Sequence, residues 1–292
     1  MNDIAPLHLR LPATSANLGP GFDALGLALA LYLDLHAIPA AATGIDATGR
    51  NADLVASLEH NLILTTYRHL SPDGPNLQLT IHNEIPLGMG CGSSAAALLA
   101  GVHLANHFGR LGLTPQQLLE EACAREGHPD NVAACFHGGM TVSAMQGREV
   151  TTATFGRHLD WRLLLALPSA SFATEKARAL LPDTYSRSDA VANIQATALL
   201  VAAFAQDRPE LLAAATRDRL HQPFRSQACP LLPALLPLAE TPQFYAVTLS
   251  GAGPSVLLIA DPKAPEAALL AAIRNCCDNL PVEIVQTTLH HP

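Results

Sequence analysis

The sequence predicts an α+β fold of two domains, on three observations. At 292 residues the chain can bury one large core or, more commonly, two of medium size. In the first half, the alternating Leu77-Gln78-Leu79-Thr80-Ile81 leads through a glycine-rich loop into an apolar helical run. In the second half the order is strand, helices, strand, strand, helix, strand, which fits a split βαβ arrangement. The change of domain falls between Phe155 and Asp160, giving units of residues 1–157 and 158–292.

The elements follow in order. His8 to Pro12 reads as a short strand, and Ala13 to Asp23 as a polar, glycine-rich turn. That turn either lines a pocket or lets Asn17 and Asp23 make local Asx-type bonds to the backbone. A second strand begins near Leu27. Leu62, Ile63, Tyr67 and Leu70 share one helical face, and Ser71-Pro72-Asp73-Gly74-Pro75 ends that helix in a turn. After Leu77–Ile81, Ser93 or Ser94 is placed to cap a helix that ends between Gly109 and Gly112. Thr114, Pro115 and Gln117 have capping-box spacing, so another helix runs from there to Gly127. Thr141–Ser143 and Val150–Thr152 form a hairpin.

In the second half Trp161–Leu167 is a buried strand, and Ser171–Leu181 a bend with a short helix carrying Thr174 and Arg178. Ser188 is expected to cap a long Ala/Leu helix reaching about Ala205, and Pro209 to open one reaching about His221. Phe244–Leu249 and Ser255–Ala260 are strands, Pro265–Cys276 a helix and Val282–Thr287 a last strand. The arrangement is ferredoxin-like.

Composition narrows the function classes. The formal net charge is -8, charged residues are 14% of the chain, and no Lys/Arg cluster stands out, which argues against nucleic acid as a partner. Mean hydropathy is +0.21, yet no uninterrupted apolar run suggests a membrane span. The N-terminus lacks a basic flank and an apolar signal core, so a cytoplasmic location is expected. None of the six cysteines forms a Cys-x-x-Cys pair, which suits free thiols in a reducing compartment. His103 and His107 stand four apart on a helix with no intervening Glu, and read as ordinary helix-face residues.

The chemistry concentrates at Pro86-Leu87-Gly88-Met89-Gly90-Cys91-Gly92-Ser93-Ser94-Ala95. Glycine at every second position, followed by a helix start, describes a loop whose N–H groups can converge on an anion. The bland alternative is a glycine-rich turn before a capped core helix. A P-loop is excluded because the only lysines are Lys176 and Lys263, and a dinucleotide fingerprint because Ser93 stands where its third glycine is due. A nucleoside triphosphate held without a P-loop lysine needs Mg²⁺ and hard oxygen ligands, for which Ser94 and Glu126 are the candidates. Glu126 opens a second polar focus, Glu126-Gly127-His128-Pro129-Asp130-Asn131, which faces either a metal–phosphate complex or solvent. Asp23 suits an ammonium group, Arg178 and Arg225 a carboxylate, and Asn17 and Asn131 a hydroxyl or amino group.

With these residues assembled, the chain resembles the GHMP family of small-molecule kinases, most closely its members that act on homoserine. Pro12-Ala13-Thr14-Ser15-Ala16-Asn17-Leu18-Gly19-Pro20-Gly21-Phe22-Asp23-Ala24-Leu25-Gly26 looks like the family's first motif, Pro86–Ala95 like its phosphate loop, and Leu249-Ser250-Gly251-Ala252-Gly253-Pro254-Ser255 like its third motif. Glu126–Val132 and the shorter His221-Gln222-Pro223-Phe224-Arg225 add to the likeness, which spans residues 8 to about 287.

The resemblance implies an N-terminal domain like the second domain of ribosomal protein S5, a ferredoxin-like C-terminal domain, and a homodimer. It implies ATP-dependent phosphorylation of the side-chain hydroxyl of L-homoserine, in threonine biosynthesis. Gly88, Gly90, Gly92 and Ser93 would surround the phosphates, within a nucleotide loop that also includes Pro86, Leu87, Met89 and Cys91. Ser94 and Glu126 would hold Mg²⁺, and Asn61 would lie by the adenine. Asn17, Asp23, Asn131, Thr174, Arg178 and Arg225 would line the homoserine site, with Arg219 the rival of Arg225. The third motif would brace the phosphate loop.

Asn131 stands where mevalonate-type members look as if they carry an Asp base. An amide cannot act as a carboxylate base, so direct attack by the hydroxyl is implied, with Asp130 as a bland alternative base. Cys91 departs from the Leu usual in the members acting on homoserine.

Overall fold

The computed structural model describes residues 4–291. Two sheets organise them. The first contains β1 (Leu7–Ala16), β2 (Leu25–Pro39), β3 (Gly44–Gly49), β4 (Leu77–Asn83), β5 (Met140–Gln146) and β6 (Glu149–Phe155). Its path is β3-β4-β2-β5-β6, with β1 paired to β2. The long β2 runs antiparallel to β1 along one edge, while its other edge is shared by β4, opposite Leu33–Pro39, and β5, opposite Leu25–Leu27. The β1–β2 register shifts between Pro12 and Ala13, where proline cannot donate to the ladder. Beyond the shift, every residue from Ala13 to Ala16 is buried, so β1 extends into the segment expected to be a turn.

Five helices belong to this half: α1 (Ala52–Ala56), α2 (Leu62–Leu70), α3 (Ser93–Phe108), α4 (Pro115–Glu126) and α5 (Asp130–His137). Thr114 and Gln117 make both bonds of the predicted capping box. The start of α3 differs from expectation: its N-cap is Gly92 at φ 69°, and neither Ser93 nor Ser94 caps it. A left-handed residue there turns the serine side chains away from the helix's own N–H groups, and Ser94 bonds to Glu126 instead. Ala95, Ala96, Leu99, Ala100 and Val102 on α3 join Leu25, Leu27 and Leu35 of β2 in the larger core.

The second sheet has order β10-β7-β9-β8, all neighbours antiparallel, from β7 (Arg162–Pro168), β8 (Phe244–Leu249), β9 (Val256–Ala260) and β10 (Val282–Thr287). This is the strand order of a split βαβ, ferredoxin-like sheet, with β6 the last strand of the first sheet and β7 the first of the second. The helices are α6 (Thr174–Ala179), α7 (Arg187–Ala205), α8 (Leu212–Ala215), α9 (Gln222–Arg225), α10 (Leu231–Leu235) and α11 (Glu266–Cys277). Ser186, not Ser188, caps α7 by accepting from the Asp189 N–H at 3.0 Å. The helix expected from Pro209 to His221 is only a 3-10 turn followed by α8.

By length and composition α7 could cross a membrane. Its Asn193, Ala196, Leu200, Ala203 and Phe204 are buried in the protein, and Asn193 and Thr197 both donate to the Pro20 carbonyl. Those two bonds anchor the turn after β1. The chain then returns to where it began: Ala30 N–H donates to Thr288 O, His290 N–H to Ala28 O, and Gly139 N–H to His290 O. Residues 288–290 thus lie beside the middle of β2.

Candidate active site

Gly88, Gly90 and Gly92 sit at φ 68°, 73° and 69°. Alternating left-handed residues turn successive peptide groups, and the carbonyls of this loop are tied outward. Phe172 N–H donates to Gly88 O at 3.3 Å, Ser250 Oγ to Gly90 O at 2.7 Å, and Thr14 N–H to Cys91 O at 3.0 Å. Glycine is required where the braces touch: a Cβ on Gly90 would run into the Ser250 and Gly253 carbonyls, and one on Gly92 into Thr14 Oγ1. No N–H from Gly88 through Ala95 makes a well-formed hydrogen bond among the described residues. Unpaired backbone donors converging at the start of a sixteen-residue helix make a seat for an anion.

Residues of the third motif supply the brace. Besides the Ser250 bond, Gly251 N–H donates to Ala16 O at 3.0 Å, and Asn17 Nδ2 to Gly251 O at 2.9 Å. Cys91 is buried in this contact, and burial pushes its thiol up to about 12.

Beside the loop, a cavity of about 160 Å³ is lined by Ser93, Ser94, Glu126, Asn131, Asp23 and Arg178, with Asn17, Thr174 and Arg225 also on its wall. Ser94 Oγ donates to Glu126 Oε2 at 2.8 Å, and no cation lies within ion-pair distance of Glu126 among the described residues. Burial raises the Glu126 carboxyl above its ordinary range, opposed by the Ser94 bond. A hydroxyl and a carboxylate together beside an anion seat are hard oxygen donors that fit a divalent cation.

Asn131 is oriented by its neighbours: its Oδ1 accepts from Thr14 Oγ1 at 2.7 Å and its N–H donates to Asp130 Oδ1 at 2.7 Å. The same Asp130 oxygen lies 2.6 Å from His128 Nδ1, and Asp130 is 1% exposed. Asp130 is therefore engaged in holding His128 and the backbone, and is poorly placed as a free base. For His128, burial opposes the charged ring, but the Asp130 bond and the charges of Asp130, Glu126 and Asp23 outweigh it and raise its pKa. His128 also lines the cavity. It lies inside the second polar focus, but the sequence alone assigns it no role.

At the other end, Arg178 pairs with Asp23 through Nη1 and Nη2 of its guanidinium. Arg225 is 1% exposed and has no carboxylate within ion-pair distance among the described residues, an uncompensated buried cation at the cavity wall. Burial, then Arg178, lowers its pKa from the arginine norm. The Phe22 ring is near both guanidinium carbons, 5.2 Å from that of Arg178 and 5.5 Å from that of Arg225. Arg219 is elsewhere, in an outer groove with Leu232 and Pro233.

Two expected residues are committed to bonds inside the protein. Asn17 offers its amide to Gly251 O and to the Asp23 N–H. Asn61 caps α2, accepting from Leu64 N–H at 3.2 Å and donating to Val55 O at 3.1 Å. Asn61, Leu54, Ile63 and Leu87 line a second cavity of about 310 Å³, which meets the first at Ser93 and Ser94. Pro86 and Met89 lie on neither wall.

Comparison with known proteins agrees with this geometry. Residues 61–139 match the family of GHMP kinases N terminal domains, and residues 199–279 that of GHMP kinases C terminal. The homoserine kinase of Solibacter usitatus is 47% identical over 256 residues, 86% of this chain and 84% of the relative. That of Clavibacter michiganensis is 42% identical, covering 87% and 82%. Among solved structures, the homoserine kinase from Cytophaga hutchinsonii superposes with a TM-score of 0.80 at 25% identity, covering 99% of this chain and 96% of the other. A mevalonate kinase from L. major shares the fold at 15% identity, with a TM-score of 0.72 over 97% and 96% of the two chains.

Proposed function

The chain belongs to the GHMP kinase family, among its homoserine kinases, and from that premise we infer that it transfers the γ-phosphoryl group of ATP to the side-chain hydroxyl of L-homoserine. The product is O-phospho-L-homoserine, an intermediate of threonine biosynthesis. The observation that carries the donor half is the row of N–H groups from Gly88 to Ala95 that lack a well-formed hydrogen bond among the described residues, in a loop that lines the cavity and whose carbonyls are tied by Phe172, Ser250 and Thr14. The triphosphate lies along them, and the adenine enters the apolar slot of Leu54, Ile63 and Leu87, whose wall Asn61 shapes.

Homoserine is a zwitterion with a hydroxyl, and the wall offers a match for each group. Arg225 takes the carboxylate, because a buried guanidinium without an anion gains most from one. Arg178 and Asp23, now paired to each other, share the carboxylate and the ammonium between them. Thr174 is at the same end, while Asn17 fixes the backbone that presents Asp23. Asn131, whose Nδ2 also donates to Asp130 Oδ1 at 3.4 Å, has a second amide hydrogen to offer the hydroxyl.

Ser94 and Glu126 would hold Mg²⁺, which supplies charge neutralisation to the phosphate oxygens. The residues of the chain position the reaction and hold it away from water. Asn131 bears no basic lone pair, and Asp130 is held by His128 and a backbone N–H. The hydroxyl therefore attacks directly, through a loose transition state in which little nucleophile deprotonation is needed, and its proton leaves during or after transfer. Six free cysteines are compatible with a reducing cytoplasm as the place of reaction.

The test is a coupled assay of ADP release with L-homoserine, mevalonate, shikimate and sugars as acceptors. Homoserine-dependent turnover giving a phosphate monoester by ³¹P NMR is expected. Turnover with another acceptor and none with homoserine would overturn the reading.

A further inference from the structure

Arg225 raises a question that substrate binding alone leaves open. A cation so deeply buried, with no carboxylate partner, must be held in one orientation if it is to meet a ligand. Two bonds hold it: Nε donates to Ala177 O at 3.2 Å, and Nη1 meets His221 Nδ1 at 3.1 Å. Nη2 has no partner among the described residues.

His221 has no exposed surface, and its other nitrogen, Nε2, lies 2.7 Å from Gly19 O. A carbonyl can only accept, so Nε2 carries the proton. In the neutral ring Nδ1 is then a lone pair and accepts from Arg225. A second proton would set donor against donor. The other groups facing the ring are few. Asp218 Oδ2 lies 3.6 Å from Nε2, but that carboxylate is occupied by the N–H groups of Leu220, His221 and Gln222. The Phe22 ring is 5.4 Å away, centre to centre. Burial, reinforced by Arg225, outweighs Asp218 and keeps the imidazole below its usual pKa.

We propose that His221 is a positioning residue for the substrate: as the neutral Nε2–H tautomer it ties Gly19 to Arg225 and aims the unpaired Nη2 side of that guanidinium into the cavity. One ring thereby couples the turn that presents Asp23 to the cation that receives the carboxylate. The proposal rests on the reading that Arg225 receives the carboxylate of homoserine.

Two substitutions separate the halves of the link. In His221→Asn, Oδ1 replaces Nδ1 and the acceptor for Arg225 is kept, while the bond to Gly19 is lost. In His221→Gln, Nε2 keeps the bond to Gly19, and the acceptor for Arg225 is lost. A hydrogen bond to a charged group is worth enough to change affinity about tenfold. His221→Gln is therefore expected to raise the KM for homoserine about tenfold, with His221→Asn within about threefold of wild type and the KM for ATP unmoved in both. In an Arg225→Ala background, His221→Gln should change the KM no further. Equal KM values for wild type and His221→Gln would overturn the proposal alone, as would equal losses in both variants or an undiminished effect without Arg225. A wild-type enzyme that does not turn over homoserine would overturn the substrate reading and this proposal with it. Independently of any variant, ¹⁵N NMR of the wild-type imidazole should show protonated Nε2 and bare Nδ1, and the opposite tautomer would overturn the link.

Discussion

Asp23 and Arg178 face each other as a fork, Arg178 Nη1 donating to Oδ2 at 2.9 Å and Nη2 to Oδ1 at 2.8 Å, across the junction of the two sheets. The carboxylate side chain is 33% exposed and the guanidinium 45%, and pairs this wet contribute less than about 1 kcal/mol to folding. Arg178→Ala should therefore leave the melting temperature within about 4 °C while raising the KM for homoserine by about 10- to 100-fold. Steady-state kinetics with each substrate varied in turn, beside thermal unfolding, would show it. An unaltered homoserine KM would remove Arg178 from the site.

Ser94 and Glu126 share one hydrogen bond, and no cation lies within ion-pair distance of Glu126 among the described residues. Ser94→Ala is expected to raise the half-saturating Mg²⁺ concentration by about tenfold or more and to lower turnover. Homoserine binding measured by calorimetry should hardly change. A Mg²⁺ titration identical to wild type would speak against a metal role for this hydroxyl.

Glu126 also carries a cost that can be measured without substrate. Burial lifts its folded-state pKa above the unfolded value, so the ionised folded form is penalised at every pH above the folded pKa, and the penalty fades as pH falls through it. Glu126→Gln keeps an acceptor for Ser94 and removes the charge. Its melting temperature should exceed that of wild type at about pH 8, with the gap closing toward about pH 4, while kinase activity is lost. A gap that widens in acid would contradict the assignment.

Gly90 tests the clamp on the phosphate loop. Its φ of 73° disfavours any side chain, and a Cβ would collide with the Ser250 and Gly253 backbone. Gly90→Ala should lower stability by about 2 kcal/mol or more and weaken ATP use more than homoserine use. Circular dichroism melts and the two KM values would decide.

Features fixed by neighbouring residues were the legible ones. The capping box at Thr114, the strand Val282–Thr287 and the loop-to-helix step at Gly88–Ser94 each depend on a few adjacent side chains. The strand Gly44–Gly49 went unseen because it is short, half-exposed and paired only to β4, so it carries no alternating pattern. The choice between Ser186 and Ser188 as the cap of α7 was beyond composition, since both are hydroxyls and only backbone geometry separates them. In the site, residue identity was readable and pairing was not. That Asn17 and Asn61 spend their amides on the backbone depends on partners brought near only by folding. The same holds for the link from Gly19 through His221 to Arg225.

The middle of β2 is bonded to residues 288–290, so this strand waits for a segment made long after it. Loop closure over so long a stretch comes late and slowly. Until then the nascent first half exposes an unfinished edge beside its largest core, which is the stage at which aggregation competes with folding. Catalytic competence therefore waits for both halves of the chain: the first has no working form by itself.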